Sequence, residues 1–317
     1  MSAPAPIRIG VSSCLLGNEV RYDGGHKRSR FVTDALAQFV EWVPFCPELE
    51  AGLGVPRPAM RLVGENGSHR LLEITSGNDH TEALEHAAAQ RCDALAELDL
   101  SGTILKKDSP SCGFQRVKVY SGDAMPARDG VGLFARRLIA RFPNLPVEDE
   151  GRLNDAVLRE NFIERVFAYR RVRDLFAGRW SNGDAVAFHT HHKLQLMAHS
   201  RVIYNELGRL VARVADVDRA EFAEHYEARF MEGMSIPATR GSNTNVLQHA
   251  AGHLKHLDPE SRAELADLIH DYRLGLVPLV VPVTLLRHHT RTHDVTYLNG
   301  QTFLEPHPKE LMLRNHV

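Results

Sequence analysis

Apolar and polar positions follow two rhythms along this chain. In the first half, short apolar runs bounded by turn residues alternate with helical stretches. Ile7 to Ser12 reads as a strand running into Cys14-Leu15-Leu16-Gly17 and a Gly-Gly loop. Thr33 to Val40 reads as a helix, and Trp42 to Phe45 as a second strand ending at Cys46-Pro47. Thr81 to Leu98 has helical spacing, with Ala83, Leu84, Ala87, Ala88 and Leu95 on one side. Gly102 to Leu105 is a third strand, Gly132 to Phe142 a helix, and Leu145 to Glu148 a fourth strand. Strands alternating with helices predict an α/β domain with a parallel sheet wrapped by helices.

From about Gly151 the strands nearly vanish. Helical patterns follow one another over Asp155 to Phe176, Asp184 to Ser200, Arg201 to Val214 and Arg219 to Met234. Asp258-Pro259-Glu260 supplies a cap followed by Pro in the first turn. This predicts a mostly α-helical C-terminal domain. A length of 317 residues suits two cores, and the expected division is 1–150 and 151–317. The most apolar run, Leu274 to Leu286, is too short to span a bilayer and is broken by Pro278 and Pro282.

A formal net charge of -2 exerts no global pull on nucleic acid or anionic membrane. The N-terminal residues have neither a basic start nor an apolar stretch, so the expected location is the cytoplasm of a bacterial-type cell. In that reducing compartment the four cysteines are not a disulfide framework; they are metal ligands, catalytic groups or buried apolar residues.

Cys14, Cys46 and Cys112 each closely follow a strand of the expected parallel sheet. The loops beyond the carboxyl ends of such strands converge on one edge, where ligands bind. Small or conformationally special neighbours surround them: Ser12-Ser13, Pro47, Pro110-Ser111 and Gly113. The pattern leaves two readings open, a shared site or three separate buried cysteines. Cys92 lies within an Ala-rich helix and reads as structural.

Several blocks around these cysteines carry a resemblance. They are Gly10-Val11-Ser12-Ser13-Cys14-Leu15-Leu16-Gly17, Arg21-Tyr22-Asp23-Gly24-Gly25-His26-Lys27, Cys46-Pro47-Glu48 with Gly52-Leu53-Gly54-Val55-Pro56-Arg57, and Leu105-Lys106 followed by Ser109-Pro110-Ser111-Cys112-Gly113. Together, over about residues 7 to 150, they resemble the bacterial thiouracil desulfidase family. The second half resembles the YbgA-like helical domain, whose function is unknown. The resemblance implies a [4Fe-4S] cluster held by Cys14, Cys46 and Cys112. It implies redox-neutral, hydrolytic desulfuration of a small thiolated pyrimidine of the 2-thiouracil or 4-thiouracil type, base or nucleoside, to uracil with release of sulfide. Three thiolates on four irons leave one iron open as a Lewis acid, and a thiocarbonyl sulfur is a soft match for it. Consistent with chemistry that needs no ATP, the chain holds no GxxxxGK[ST] and no SGGxDS-type loop.

Attack by water needs a base. Glu48, two residues after Cys46, is the expected one. Ser109, held extended before Pro110, is expected to relay a proton or bind the pyrimidine edge, with Ser111 as its rival for that role and for substrate binding. Asp23, His26 and Lys27 form a polar loop on the same edge that binds substrate or fixes the loop. Lys106 and Lys107 read as ordinary exposed lysines, with anion attraction as the alternative.

Fourteen of the eighteen histidines follow residue 150, in groups around His189 to His192, His249 to His256 and His288 to His293. None has a HExxH pattern or a zinc-type spacing, so caps, core polar groups and surface positions are the expected roles. The stripe Arg165, Arg170, Arg171 and Arg173 is interspersed with glutamates and reads as a solvated helix face rather than an RNA contact. Two other functions compete with desulfuration: a hydratase or dehydratase using an open iron, and a non-catalytic metal-bearing sensor whose helical half binds a partner.

Overall fold

The computed structural model describes residues 6–65, 68–122 and 124–317. The chain forms two compact units, Met1–Asn154 and Asp155–Val317. In chain order the first holds β1 (Arg8–Ser12), β2 (Glu41–Phe45), the one-turn helix α1 (Pro47–Glu50), β3 (Met60–Glu65), β4 (Ser68–Glu73) and α2 (Thr81–Ala96). Then follow β5 (Gly102–Leu105), β6 (Val117–Tyr120), β7 (Ala127–Gly130), α3 (Leu133–Arg141) and β8 (Val147–Asp149).

The four strands expected from the apolar runs form one all-parallel sheet in the order β2-β1-β5-β8. Ile9 sits between Trp42 and Gly102, and Thr103 faces Val147. The central strands are covered on both faces: Ile9, Val11, Ile104 and Leu105 are fully buried, which is why they read as short continuous apolar runs. Parallel pairing puts β1, β2 and β5 side by side with their carboxyl ends on one edge. That edge is where Ser12, Cys46 and Lys106 emerge.

Two features differ from the reading of the sequence. The helix expected over Thr33 to Val40 is a shorter, wide-turn helix, Phe31–Leu36. The chain must turn after Leu36 to bring Glu41 into register with Arg8, and the Phe39 amide donates to the Leu36 carbonyl at 3.0 Å in that turn. The second difference is a further four-stranded mixed sheet, β4-β3-β6-β7. Its apolar residues, Leu62, Leu71, Val117 and Val119, pack with Leu84 of α2 and Leu133 of α3. Each of its strands buries few side chains among polar ones, too few for periodicity to mark a strand.

The second unit contains α4 (Ala156–Phe176), α5 (Asn182–His199), α6 (Arg201–Ala212), α7 (Arg219–Ser235), α8 (Arg240–Ala251), α9 (Pro259–Leu274) and α10 (Val280–Thr292). No strand occurs among its described residues. The helix starts are set by side chains, as Asp258-Pro259-Glu260 suggests for α9. Asp155 accepts from the Leu158 amide, Ser181 and Asp184 form a capping box, and Asp258 accepts from Ser261. On α7, Phe222, Tyr226 and Phe230 are spaced by four and stack along one face, with centroids 5.7 and 6.0 Å apart. Full burial of each contributes about 1.5–3 kcal/mol. The buried hydroxyl of Tyr226 meets His189 Nδ1 at 3.0 Å, so this histidine is a core polar group. No helix among the described residues is long and apolar enough to cross a membrane.

Candidate active site

A pocket of about 450 Å³ opens at the carboxyl edge of the parallel sheet. Cys14, Cys46 and Cys112 all line it, together with Glu48 and Ser109. Each thiol arrives on a braced turn. Cys14 lies in a single helical turn, Ser13–Leu16, closed by Gly17 in the left-handed region at φ 99°, where a side chain would be strained. The Cys14 carbonyl accepts from Lys27 N at 2.9 Å. Cys46 precedes α1, and its amide donates to Glu50 Oε1 at 3.1 Å. Glu50 is in turn held by Arg91 at 2.8 Å. Cys112 sits where α3 begins: the amides of Leu133 and Ala135 donate to the carbonyls of Pro110 and Ser111, both at 3.1 Å. A Cβ at Gly132 would strike the Ser111 carbonyl, so only glycine lets the two segments meet.

All four cysteines are free. Burial pushes the Cys14 thiol up to about 11, with Lys106 pulling in the opposite direction. Burial also raises Cys46. It drives Cys112 well above the usual thiol range, against a hydrogen bond with Ser12. Without a positive partner these thiols stay protonated, because charge in a low-dielectric pocket is costly. Cys92 is buried on α2 outside the pocket lining. No trio of His, Cys, Asp or Glu among the described residues is gathered closely enough to hold a single metal ion.

Glu48 is the most constrained carboxylate of the pocket. Arg57 Nε donates to its Oε2 at 2.9 Å, and Arg57 Nη2 makes a second, shorter bond to the same oxygen. Ser111 Oγ donates to Oε1 at 2.6 Å. Arg57 is itself buried and anchored to the carbonyls of Gly54 at 2.7 Å and Val20 at 3.1 Å. Ser109 Oγ accepts from the amides of Ser111 at 3.2 Å and Cys112 at 3.1 Å. The two serines therefore divide the work: Ser109 caps the cysteine turn and lines the pocket, while Ser111 is fully buried and bound to Glu48.

The remaining sequence candidates separate. Lys27, Lys106 and Lys107 line the pocket, and Lys106 is ion-paired with Glu150. Asp23 and His26 are exposed and bonded within their own loop: Asp23 accepts from Gly25 N at 3.1 Å, and His26 Nδ1 from Arg28 N at 3.2 Å. The sequence by itself assigns no role to Arg57 or Ser12; Arg57 closes the stretch Gly52 to Arg57, but nothing local marks Glu48 as its partner.

Fold and pocket thus define an α/β unit that collects free thiols and a fixed carboxylate at the carboxyl edge of its parallel sheet, joined to a helical unit. The 2-thiouracil desulfurase family model matches residues 9–150, and that of DUF1722, a protein family of unknown function, matches residues 193–308. The chain is 31% identical over 158 residues to "Uncharacterized protein YbgA" of Escherichia coli K12, covering 49% of this chain and 94% of that protein. It is 38% identical over 110 residues to "Uncharacterized protein YbbK" of Bacillus subtilis 168, covering 33% of this chain and 72% of that protein. A solved structure described as a [4Fe-4S]-dependent thiouracil desulfidase, TudS, aligns with a TM-score of 0.40 and 31% identity over 47% of this chain and 93% of that one. The chain belongs to the 2-thiouracil desulfurase family, in the form that carries a YbgA-like helical domain.

Proposed function

We propose that the first unit hydrolyses the C–S bond of a thiolated pyrimidine, with Cys14, Cys46 and Cys112 holding a [4Fe-4S] cluster. The observation that carries this reading is the delivery of three free, desolvated thiols to one pocket beside a fixed carboxylate. The donor set fits such a group. Three soft sulfur ligands suit iron and sulfide. A cluster takes each thiolate on a different iron, so its ligands need not crowd as they would around one ion. When bound, the cluster supplies an iron without a protein ligand, a soft Lewis acid for the thiocarbonyl sulfur.

The chain's own residues supply water activation and proton transfer. A carboxylate offers about four acceptor positions. Arg57 takes two at Oε2 of Glu48 and Ser111 takes one at Oε1. The acceptor position left on Oε1 is the one that takes a proton from water, making Glu48 the general base. Arg57 supplies the counter-charge and fixes the carboxylate plane; Ser111 sets its rotation. Ser109 has both lone pairs engaged by amides, so its own O–H is left to donate toward the ring or the departing sulfur. One water enters and one hydrogen sulfide leaves; a C–S bond is exchanged for C–O with no change in oxidation state.

The test is anaerobic reconstitution of the full chain, with iron and acid-labile sulfide measured at about four each. A screen for sulfide release from 2-thiouracil, 4-thiouracil and their nucleosides follows. Cluster-loaded protein that releases no sulfide from any of them overturns the activity. Protein that takes up zinc but no cluster overturns the cofactor.

A further inference from the structure

Lys106 departs from the expectation of an ordinary exposed lysine. It follows β5 directly and Glu150 follows β8, and the parallel register that sets Leu105 beside Asp149 brings the two together. The Lys106 ammonium donates to Glu150 Oε1 and, at 2.9 Å, to the Lys107 carbonyl. Glu150 is itself held, its Oε2 accepting from the Lys107 amide at 2.8 Å. The Lys106 amide donates to the buried hydroxyl of Ser12 at 3.0 Å. The Lys106 side chain is 19% exposed and lines the cysteine pocket. Lys27 and Lys107 line it too, but both are exposed. Of the three pocket lysines, Lys106 is the one whose ammonium is held by bonds among the described residues.

An ammonium has three donor positions. Glu150 and the Lys107 carbonyl take two, and one is left for a ligand of the pocket. The charge of Lys106 acts on Cys14, and that of Glu48 on Cys46 and Cys112, so ammonium and carboxylate stand at different cysteines. Resting on the reading of this site as a desulfidase, we propose that Lys106 is a further catalytic residue, donating its remaining N–H to the carbonyl oxygen that the pyrimidine keeps. A hard ammonium suits that oxygen, as a soft metal suits the sulfur. In 2-thiouracil and 4-thiouracil alike, one ring nitrogen lies between the retained carbonyl and the thiocarbonyl. A donor at the carbonyl oxygen draws the lone pair of that nitrogen away from the thiocarbonyl carbon, which then accepts water more readily. Lys106 keeps its proton throughout. Because the ammonium is fixed before substrate arrives, it needs no reorganisation during the reaction. Glu150 touches no substrate and acts as the positioning residue for Lys106.

The full-length, cluster-loaded protein is tested on matched thiones. 2-Thiouracil is paired with pyrimidine-2-thione and 4-thiouracil with pyrimidine-4-thione; the second of each pair keeps the ring and the sulfur but lacks the retained carbonyl. Lys106→Met removes the donor at similar length. Its kcat/KM for the thiouracil is expected to fall about tenfold or more, with little change for the carbonyl-free thione and with iron content unchanged. Where that thione turns over too slowly to compare, its inhibition constant against the thiouracil replaces kcat/KM. Glu150→Gln leaves the lysine without its charged partner and gives a smaller loss, again confined to the thiouracil. If Lys106→Met loses iron, Lys106→Gln, which still donates to Glu150 but carries no charge, takes its place in the same comparison. Equal losses on both members of a pair, or no loss on either, overturn the contact between Lys106 and the carbonyl while the desulfidase reading stands. A parent that desulfurates no thiouracil overturns that reading, and the role of Lys106 with it.

Discussion

Ser111 donates its hydroxyl to Glu48 Oε1 at 2.6 Å, across 63 residues of chain. This bond ties the loop after β5, which carries Cys112, to the helix start after β2, which carries Cys46. One carboxylate thus links two of the three cysteine segments, and its other partner, Arg57, ties in the loop that carries Val20.

Replacing Glu48 separates base from scaffold. Glu48→Gln keeps the size and the hydrogen bond from Ser111 but cannot take a proton, so turnover falls about 100-fold or more while iron content is unchanged. Ser111→Ala frees the rotation of Glu48 and lowers kcat with little effect on iron. Near-normal turnover in Glu48→Gln removes it from the chemistry; loss of iron makes it structural.

Removal of Arg57 is a stability experiment as well. Arg57→Met leaves the partly buried Glu48 carboxylate without its counter-charge and costs up to about 3–5 kcal/mol. Chemical denaturation of the iron-free protein measures it. A change under about 1 kcal/mol indicates that the pair is screened by water, as surface pairs are.

Each pocket cysteine is predicted to be essential for iron. Cys14→Ala, Cys46→Ala and Cys112→Ala abolish stable iron binding, whereas Cys92→Ala leaves it intact and costs about 1 kcal/mol for a methylene-sized void. Iron and sulfide analysis of the four variants decides. Iron retained in any of the first three, or lost with Cys92, reassigns the ligands. A fragment ending at Asn154, the edge of the first compact unit, retains iron uptake if the helical unit gives no ligand.

The thiols titrate late. With Cys14 pushed up to about 11 by burial, its thiolate fraction grows tenfold per pH unit through the alkaline range. The iodoacetamide rate at Cys14 in iron-free protein therefore climbs through pH 9 and 10, past the point near about 8.5 where an exposed cysteine levels off. A plateau below pH 9, read by mass spectrometry, contradicts this. Iron uptake releases protons in the same range, so iron affinity rises with pH.

In the helical unit, His199 and Glu164 lie 3.4 Å apart and are both buried. Burial opposes charge on His199, yet Glu164 and the Ile236 carbonyl raise its pKa overall. Burial likewise opposes charge on Glu164, but His199 and Arg314 hold it far below the usual range. A raised histidine stabilises fully below its unfolded value of about 6.5, and that contribution is lost as pH rises through the raised value. A depressed carboxylate stabilises above about 4.3, and its contribution is lost as pH falls through the depressed value. The contribution of this pair to stability is therefore greatest between these limits and declines above about pH 6.5, and His199→Gln flattens that part of the decline. Denaturation of parent and variant at pH 6 and pH 9 checks it; equal slopes refute the pair's role.

The sequence by itself determined the four parallel strands, the helical second half and the three cysteines. Each is written locally: buried parallel strands are short apolar runs, capped helices carry their Asp or Ser, and the cysteines follow strand ends. Only the tertiary structure decided the rest. The second sheet depends on pairing between stretches such as Leu62 and Val119, partners far apart in sequence. The partnership of Arg57 with Glu48 rests on how the chain folds back over nine positions, and the bond of Ser111 to Glu48 and the inward turn of Arg171 toward Pro306 rest on contacts across 63 and 135 residues. Periodicity reports which face of an element is buried; it carries no information about which distant group lies opposite a given side chain.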